Sequence, residues 1–325
     1  MKLLVVWATT RCQLRCRYCY MSAGACAAAD LDPAEFDRAA ETLGLSPFGE
    51  VQIAGGEPLL ACDVVEAVAR RARALGVRRI GVQTNGLRID GRFVAMAKDL
   101  GLAVGVSLDG PPAINDRVRG RTAEVLAGLG RLEAAGIPFG VTAVVCRETV
   151  ATLPDLVLIL AGFRHARSLG LDILRPAGRA TEADLPSPDS LGVAFAALVE
   201  RLDWINRRRA RPVRLRELGF SECGAQAAYC PTEAGEGAVL APGGAIYPCA
   251  SLVGRPEFAC GTAADPDLAK LRRGLRPDRS GCAACVLSRC RGRCPSRTML
   301  SPRAAALDCV LREAASRIVR HASIT

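Results

Sequence analysis

Cys12-Gln13-Leu14-Arg15-Cys16-Arg17-Tyr18-Cys19 follows the apolar run Leu3-Leu4-Val5-Val6-Trp7-Ala8, with only Thr9, Thr10 and Arg11 between them. Three cysteines spaced CxxxCxxC can hold three irons of a 4Fe-4S cube and leave the fourth iron without a protein ligand, whereas electron-transfer clusters take four cysteines. The competing reading is a zinc knuckle, but zinc normally closes with four Cys or His ligands. The only histidines, His165 and His321, are far from this loop in sequence. The spacing predicts an open iron just past the first strand.

Working outward, short β-branched runs alternate with longer Ala-, Arg- and Leu-rich stretches. Strands are predicted near 3–8, 50–54, 79–83, 103–107, 139–145 and 171–174, and helices at 33–43, 63–75, 91–100, 122–135, 153–163 and 190–208. This is the pattern of βα units on a parallel sheet. The expected fold is α/β, a partial (β/α)6 TIM-like barrel. Such barrels carry their working groups on the loops at the carboxyl ends of the strands. The polar, glycine-rich strings 10–20, 55–58, 83–86, 107–110 and 175–179 all fall on that rim and predict one shared site.

After Arg211 the character changes: glycines and prolines abound, and nine of the fifteen cysteines lie there. The expected division is a barrel over 1–211 and a smaller cysteine-rich domain over 212–325. The core of the latter reads as too thin to fold on hydrophobic burial alone, so metal ligation is expected to supply part of its folding energy.

The formal charge of +10 points first to nucleic acid. Only Lys2, Lys98 and Lys270 are lysines, however, aromatics make up 4% of the chain, and no nucleic-acid-binding motif is present, so no such partner is expected. No apolar run is long enough to span a membrane, and no cleavable secretion signal precedes the cysteine loop. Fifteen cysteines in such a chain predict metal ligation in a reducing cytoplasm rather than disulfides.

The cysteine loop, with Tyr18 before its last cysteine, resembles the signature of the radical S-adenosylmethionine (SAM) superfamily. Gly55-Gly56-Glu57-Pro58 resembles the segment that binds the amino group of the SAM methionine. Gln83-Thr84-Asn85-Gly86, Ser107-Leu108-Asp109-Gly110 and Arg119 resemble later SAM contacts, which places Asn85 and Ser107 toward the ribose and Arg119 toward the carboxylate. Leu174 would pack near the adenine. Without the resemblance, these strings are turn-forming loops, Arg119 is a surface charge and Leu174 is core. The resemblance implies reductive cleavage of SAM to methionine and a 5'-deoxyadenosyl radical that takes a hydrogen atom from a substrate carbon. An external electron donor of flavodoxin or ferredoxin type is implied with it.

Cys282-Ala283-Ala284-Cys285, Cys290, Cys294 and Cys309, with Cys223, Cys230 and Cys249 upstream, resemble the SPASM extension of that superfamily. The resemblance implies one or two auxiliary 4Fe-4S clusters, one on Cys223, Cys230, Cys249 and Cys294, the other on Cys282, Cys285, Cys290 and Cys309. The gap between Cys285 and Cys290 is one residue shorter than is usual in that pattern. Two zinc ribbons are the alternative. The remaining cysteines, Cys26, Cys62, Cys146 and Cys260, are read as packing residues.

Relatives in this family modify peptides, mature sulfatases or alter small natural products. The barrel begins within three residues of Met1, so an amino-terminal leader-binding domain is not expected, and Ala250 stands where sulfatase-maturing relatives place an acid. The favoured expectation is epimerisation of an aminoglycoside sugar, with Cys249, or secondly Cys260, returning a hydrogen atom. A thiolate bonded to iron has no hydrogen to give, so Cys249 is either ligand or donor. The alternatives are a peptide maturase forming a thioether or carbon-carbon crosslink, with Arg207, Arg208, Arg209, Arg211, Arg214 and Arg216 attracting an acidic leader, and a non-enzymatic iron-sulfur or zinc protein.

Overall fold

Alternation along each strand sorts side chains onto two faces, because successive residues of a strand point to opposite sides. In β5 (Phe139–Val145), Phe139, Val141, Ala143 and Val145 are buried, while Gly140, Thr142 and Val144 face the other way. The same sorting runs through β2 (Glu50–Gly55), β3 (Arg79–Thr84) and β4 (Ala103–Ser107). It sends Val51, Ile53, Ile80, Val82, Val104 and Val106 to the aliphatic face and Gln52, Gly81, Gln83, Gly105 and Ser107 to a small, polar one. The aliphatic face meets the helices and the small, polar face lines the lumen.

The chain is described by a computed structural model for all residues except 26, 220–227, 277–281, 283, 284, 286, 288, 289 and 323–325. Cys26 and Cys223 therefore lie outside the described residues. β1 (Leu3–Thr9), β2, β3, β4, β5 and β6 (Ala166–Ile173) pair in parallel in chain order. The helices are α1 (Pro33–Thr42), α2 (Cys62–Ala74), α3 (Gly91–Asp99), α4 (Pro112–Val118), α5 (Thr122–Ala134), α6 (Leu153–Ala161) and α7 (Pro188–Asn206). Several begin on a side chain that satisfies an otherwise orphaned amide. Asp32 accepts from Ala34 N at 2.9 Å, Asp90 from Phe93 N at 2.9 Å and Ser187 from Ser190 N at 3.1 Å. The expected partial barrel of βα units is present. β6 starts five residues earlier than the β-branched run suggests, because Ala166 to Gly170 pair with β5 although their side chains carry no strand pattern.

The last third does not stand apart from this sheet. β7 (Arg214–Leu215) adds to β6, β8 (Gly237–Leu240) pairs in parallel with β1, and β9 (Ile246–Tyr247) pairs antiparallel to β8. The order is β7-β6-β5-β4-β3-β2-β1-β8-β9. Short helices α8 (Arg216–Gly219), α9 (Leu268–Arg273) and α10 (Pro295–Leu300) precede α11 (Pro302–Ala322), which packs on α7. Ala304, Leu307, Leu311 and Ala315 of α11 join the same apolar core as Leu198 and Leu202 of α7. The expectation of a thin, separate core is therefore replaced by a shared one, in which each buried leucine is worth about 1.5–3 kcal/mol relative to exposure. No helix among the described residues is long and apolar enough to cross a membrane.

Candidate active site at the barrel rim

The loop between β1 and α1 is held open by contacts that only glycine permits. Gly56 N donates to Thr9 O at 2.8 Å and Glu57 N to Arg11 O at 2.7 Å, so the end of β2 clamps the start of the cysteine loop. Gly55 has φ +132°, and a Cβ at Gly56 would stand 2.2 Å from Arg11 O. On the other side, Arg179 donates from Nε to Cys16 O at 2.9 Å and from its backbone N to Cys19 O at 3.1 Å. Clamped from both sides, the loop presents Cys12, Cys16 and Cys19 to one cavity of about 400 Å³.

Gly55, Gly56, Glu57, Thr84, Asn85, Ser107, Arg119 and Leu174 line the same cavity, so nearly the whole expected set converges. Pro58 does not line it; it opens a 3-10 turn (Pro58–Ala61) and is buried. The Glu57 carboxylate is spent within the protein. Fully buried, it accepts from Leu59 N at 3.1 Å, Thr84 Oγ1 at 2.6 Å and Asn85 N at 2.7 Å. Burial pushes this carboxyl up and the three donors oppose that. Its place is thus to tie the end of β2 to that of β3. The Asn85 side chain reaches back to Gln13 Oε1 at 3.4 Å, and Gln83 Nε2 donates to Ser107 Oγ at 3.1 Å.

Arg119 is no surface charge. Its Nη1 donates to the Tyr18 hydroxyl at 2.7 Å and lies 3.9 Å from Asp109 Oδ2, while the Tyr18 hydroxyl itself hydrogen-bonds Asp109. Asp109 is fully buried and also accepts from Val144 N at 2.9 Å. Burial pushes the Asp109 carboxyl up, and Arg119 and the Tyr18 hydroxyl pull it back down. Tyr18 belongs to the cysteine motif and Asp109 to the loop after β4; only the fold brings the two and Arg119 into one buried unit.

Burial also pushes the Cys12 thiol up to about 11, with the charges of Glu57, Cys16 and Cys19 acting in the same direction. Burial raises the Cys16 thiol as well; a thiol so raised stays protonated until a cation binds it, since a coordinating thiol loses its proton to the metal. Three thiols around an open cavity, facing glycines without room for a methyl group, fit a cluster with a ligand-free iron and a small molecule beside it.

Across the cavity, Asp172 at the end of β6 binds Arg175 at 2.7 Å and Arg297 at 3.0 Å, and Arg297 binds Asp308 at 2.6 Å. Arg175 reaches Cys294 Sγ at 3.9 Å, and Cys294 N donates to Asp308 Oδ2 at 2.8 Å. Burial alone would push the Cys294 thiol up, but Arg297 and Arg175 together hold it below its usual value. Burial pushes the Cys230 thiol up to about 11, and charge on Cys294 and Cys249 acts in the same direction. Cys249 Sγ lies 3.3 Å from Ser251 Oγ, and Ala250 lines the cavity. In the remaining set, Cys285 N donates to Cys282 O at 3.1 Å, Gly292 N to Cys290 Sγ at 3.3 Å and Arg293 Nε to Cys309 Sγ at 3.1 Å. Cys260 is not brought to the cavity: it is 1% exposed in the core, with its thiol donating to Phe258 O at 3.4 Å. Among the described residues, no three His, Cys, Asp or Glu side chains converge on a single ion.

The basic run divides: Arg208, Arg209 and Arg211 line one surface pocket with Arg164 and Arg167, and Arg216 does not join it. Arg207 pairs with Asp203 at 2.7 Å and Arg208 stacks 4.0 Å over Trp204. Arg209 donates to the carbonyls of Leu160 at 3.2 Å and Phe163 at 2.8 Å, which caps the end of α6, and Arg216 enters the lumen.

Fold and site together define a parallel-stranded α/β barrel whose carboxyl-terminal rim presents three cysteines to one cavity. The profile of the radical SAM superfamily matches residues 8–160. Mycofactocin maturase MftC of Mycobacterium ulcerans is 30% identical over 314 residues, covering 88% of this chain and 80% of that one. Pre-heme d1 synthase of Dinoroseobacter shibae is 29% identical over 332 residues, covering 88% and 79%. Native anSMEcpe with bound AdoMet has a TM-score of 0.76 at 18% identity, over 99% of both chains. Streptococcus suis SuiB bound to precursor peptide SuiA has 0.66 at 16%, over 90% of this chain and 71% of that one. At those identities the two structures speak for the fold. The chain belongs to the radical SAM superfamily, and its relatives include ones of the SPASM/twitch maturase type. As a radical SAM enzyme it uses a 4Fe-4S cluster and S-adenosylmethionine, and its carboxyl-terminal cysteines are consistent with auxiliary clusters.

Proposed function

We propose that this enzyme is a peptide maturase that removes a hydrogen atom from a peptide and forms a thioether or carbon-carbon crosslink. The observation that carries this reading is that neither Cys249 nor Cys260 lines the cavity, whose wall among the described residues offers no thiols besides Cys12, Cys16 and Cys19. An epimerase of the expected kind needs a thiol that still holds its hydrogen. The names of MftC and of the SuiB–SuiA complex, a maturase and an enzyme with its precursor peptide, agree with this choice.

In this reading Cys12, Cys16 and Cys19 hold the rim cluster, and Cys223, Cys230, Cys249 and Cys294 hold one auxiliary cluster. Cys282, Cys285, Cys290 and Cys309 hold the other. When bound, the rim cluster and SAM supply the hydrogen-atom abstraction. The chain's own residues position the ligand: Gly55 and Gly56 admit its amino end, Arg119, fixed by Tyr18 and Asp109, takes its carboxylate, Asn85 and Ser107 flank the ribose, and Leu174 covers the adenine. A flavodoxin- or ferredoxin-type protein supplies the electron. Residues 1–211 and 212–325 then divide by chemistry, one half for the radical and one for the auxiliary clusters.

The test is anaerobic incubation of the reduced, reconstituted enzyme with candidate peptides and with aminoglycosides. Peptide-stimulated 5'-deoxyadenosine formation, from a protein holding about twelve irons, three cubes of four, is the expected result. The epimerase reading keeps one specific support, that Ala250 next to Cys249 lines the cavity. A sugar product carrying one solvent deuterium at an inverted carbon would establish it instead.

A further inference from the structure

Four glycines on consecutive strands face the barrel lumen, and each is covered by a polar side chain from a neighbouring element. A Cβ would stand 2.4 Å from Gln52 Oε1 at Gly81, 2.4 Å from Gln83 Oε1 at Gly105 and 2.4 Å from Ser168 Oγ at Gly140. At Gly170 it would stand 1.6 Å from Arg216 Nη2. Three of these covers are neutral and the fourth is a cation.

Arg216 follows β7 and lays its guanidinium flat over β6, three residues before the end of that strand at Ile173. It therefore sits one layer below the rim. It lines both the active-site cavity and a second opening of the lumen at the strand starts. Its hydrogen bond is to a neutral partner, Thr142 Oγ1 at 3.2 Å. Among the described residues no carboxylate lies within ion-pair distance of it. The charge of Arg216 acts on Asp172, which is already engaged by Arg175 and Arg297, and on the neighbouring Glu217, without an ion pair to either. Arg119, the other cation on that wall with a charge partner, faces Asp109. A guanidinium offers a planar fork of donors that matches a carboxylate. One bonded only to a neutral hydroxyl among the described residues, and given room by a glycine, offers half of such a pair.

We infer that Arg216 anchors a carboxylate of the substrate at the floor of the active-site cavity. The inference rests on the proposed radical reading and narrows its substrate to a molecule that places an acid one layer below the SAM-binding rim. Three sources supply that chemistry: an acidic side chain of a peptide, a peptide's free carboxyl terminus, or an acid sugar.

The experiment follows the thermal midpoint of the full-length, anaerobically reconstituted enzyme with saturating SAM. The probes are N-acetyl-glutamyl methylamide, a neutral hexapeptide with a free carboxyl terminus, and glucuronate, each paired with its neutral amide. At least one acid is expected to raise the midpoint by about 2 °C or more where its amide does not, since a ligand bound to the folded state stabilises it. The acid that succeeds identifies the source. Arg216→Gln abolishes the response, Arg216→Lys keeps part of it because charge survives without the fork, and Gly170→Ala, which displaces the guanidinium, also loses it. Iron content and the ligand-free midpoint report whether each variant is folded; if Arg216→Gln is not, the Lys and Ala variants decide. No response to any acid, or an equal response in a folded Arg216→Gln protein, overturns the anchor. Failure of the wild-type enzyme to convert SAM to 5'-deoxyadenosine would instead overturn the radical reading, whatever the acids do.

Discussion

At the scale of a residue, Gly56 decides whether the cysteine loop can exist in its observed shape. A methyl group there would meet the Arg11 carbonyl at 2.2 Å, and both partners are backbone held by further hydrogen bonds. Gly56→Ala is expected to displace the loop at a cost of about 1–3 kcal/mol, typical of overpacking. The rim cluster should be lost with it, a drop of about four irons per chain. Iron quantitation after reconstitution checks this, and a variant with full iron and full SAM cleavage would show that the loop tolerates the methyl group. Glu57, beside it, is legible in sequence as part of a motif. Its use as a three-donor acceptor joining β2 to β3 is not, because Leu59, Thr84 and Asn85 meet it only after the strands pair.

At the scale of elements, the end of β6 is coupled to the cysteine-rich segment through Asp172, Arg175, Arg297 and Asp308. Burial would push the Asp172 carboxyl up, but Arg175 and Arg297 outweigh it and hold it below the ordinary value of 3.8. A carboxyl depressed in the folded state stabilises the protein fully above its unfolded value, about 3.9, and loses that contribution only as the pH falls through the folded value. The side chain opens onto the cavity and is 35% exposed, so the size of the effect is moderated by solvent. Asp172→Asn is therefore expected to lower the urea midpoint by an amount that stays constant between pH 5 and 8. A gap that closes as the pH falls from 8 to 5 would show the carboxyl titrating there and the ion pairs absent.

At the scale of the molecule, the sheet runs from β7 through β6 to β1 and on to β8 and β9, so both edges of the barrel are closed by residues beyond Arg211. α11 packs on α7, and its Leu307 and Leu311, which are 1% and 4% exposed, lie in the same apolar core. The cysteine-rich part thus shares its core with the barrel, and the two should unfold together. Leu311→Ala is expected to cost about 2–5 kcal/mol, as buried leucine truncations do. It should lower the midpoint of one common calorimetric transition. Two separate transitions, with only the later one shifted, would mean that the shared core does not couple them.

The amino-acid sequence by itself determined the six βα units, the open three-cysteine loop and the glycine-rich strings on one rim. Each is written locally, in strand alternation, in cysteine spacing or in turn chemistry, and so needs no knowledge of distant residues. Only the tertiary structure decided the rest. Strand β8 was hidden because four residues, Gly237–Leu240, carry too little pattern to show that they pair with β1. Arg119 could not be told from a surface charge until Tyr18 and Asp109, from two other loops, enclosed it. In sequence, Arg216 is the last of a basic run whose expected use is to attract an acidic leader, and it is a lumen cation only because Gly170, on a neighbouring strand, leaves its guanidinium room. Side chains that meet across strands acquire their roles from pairing register and burial, and neither quantity is carried by the residues one at a time.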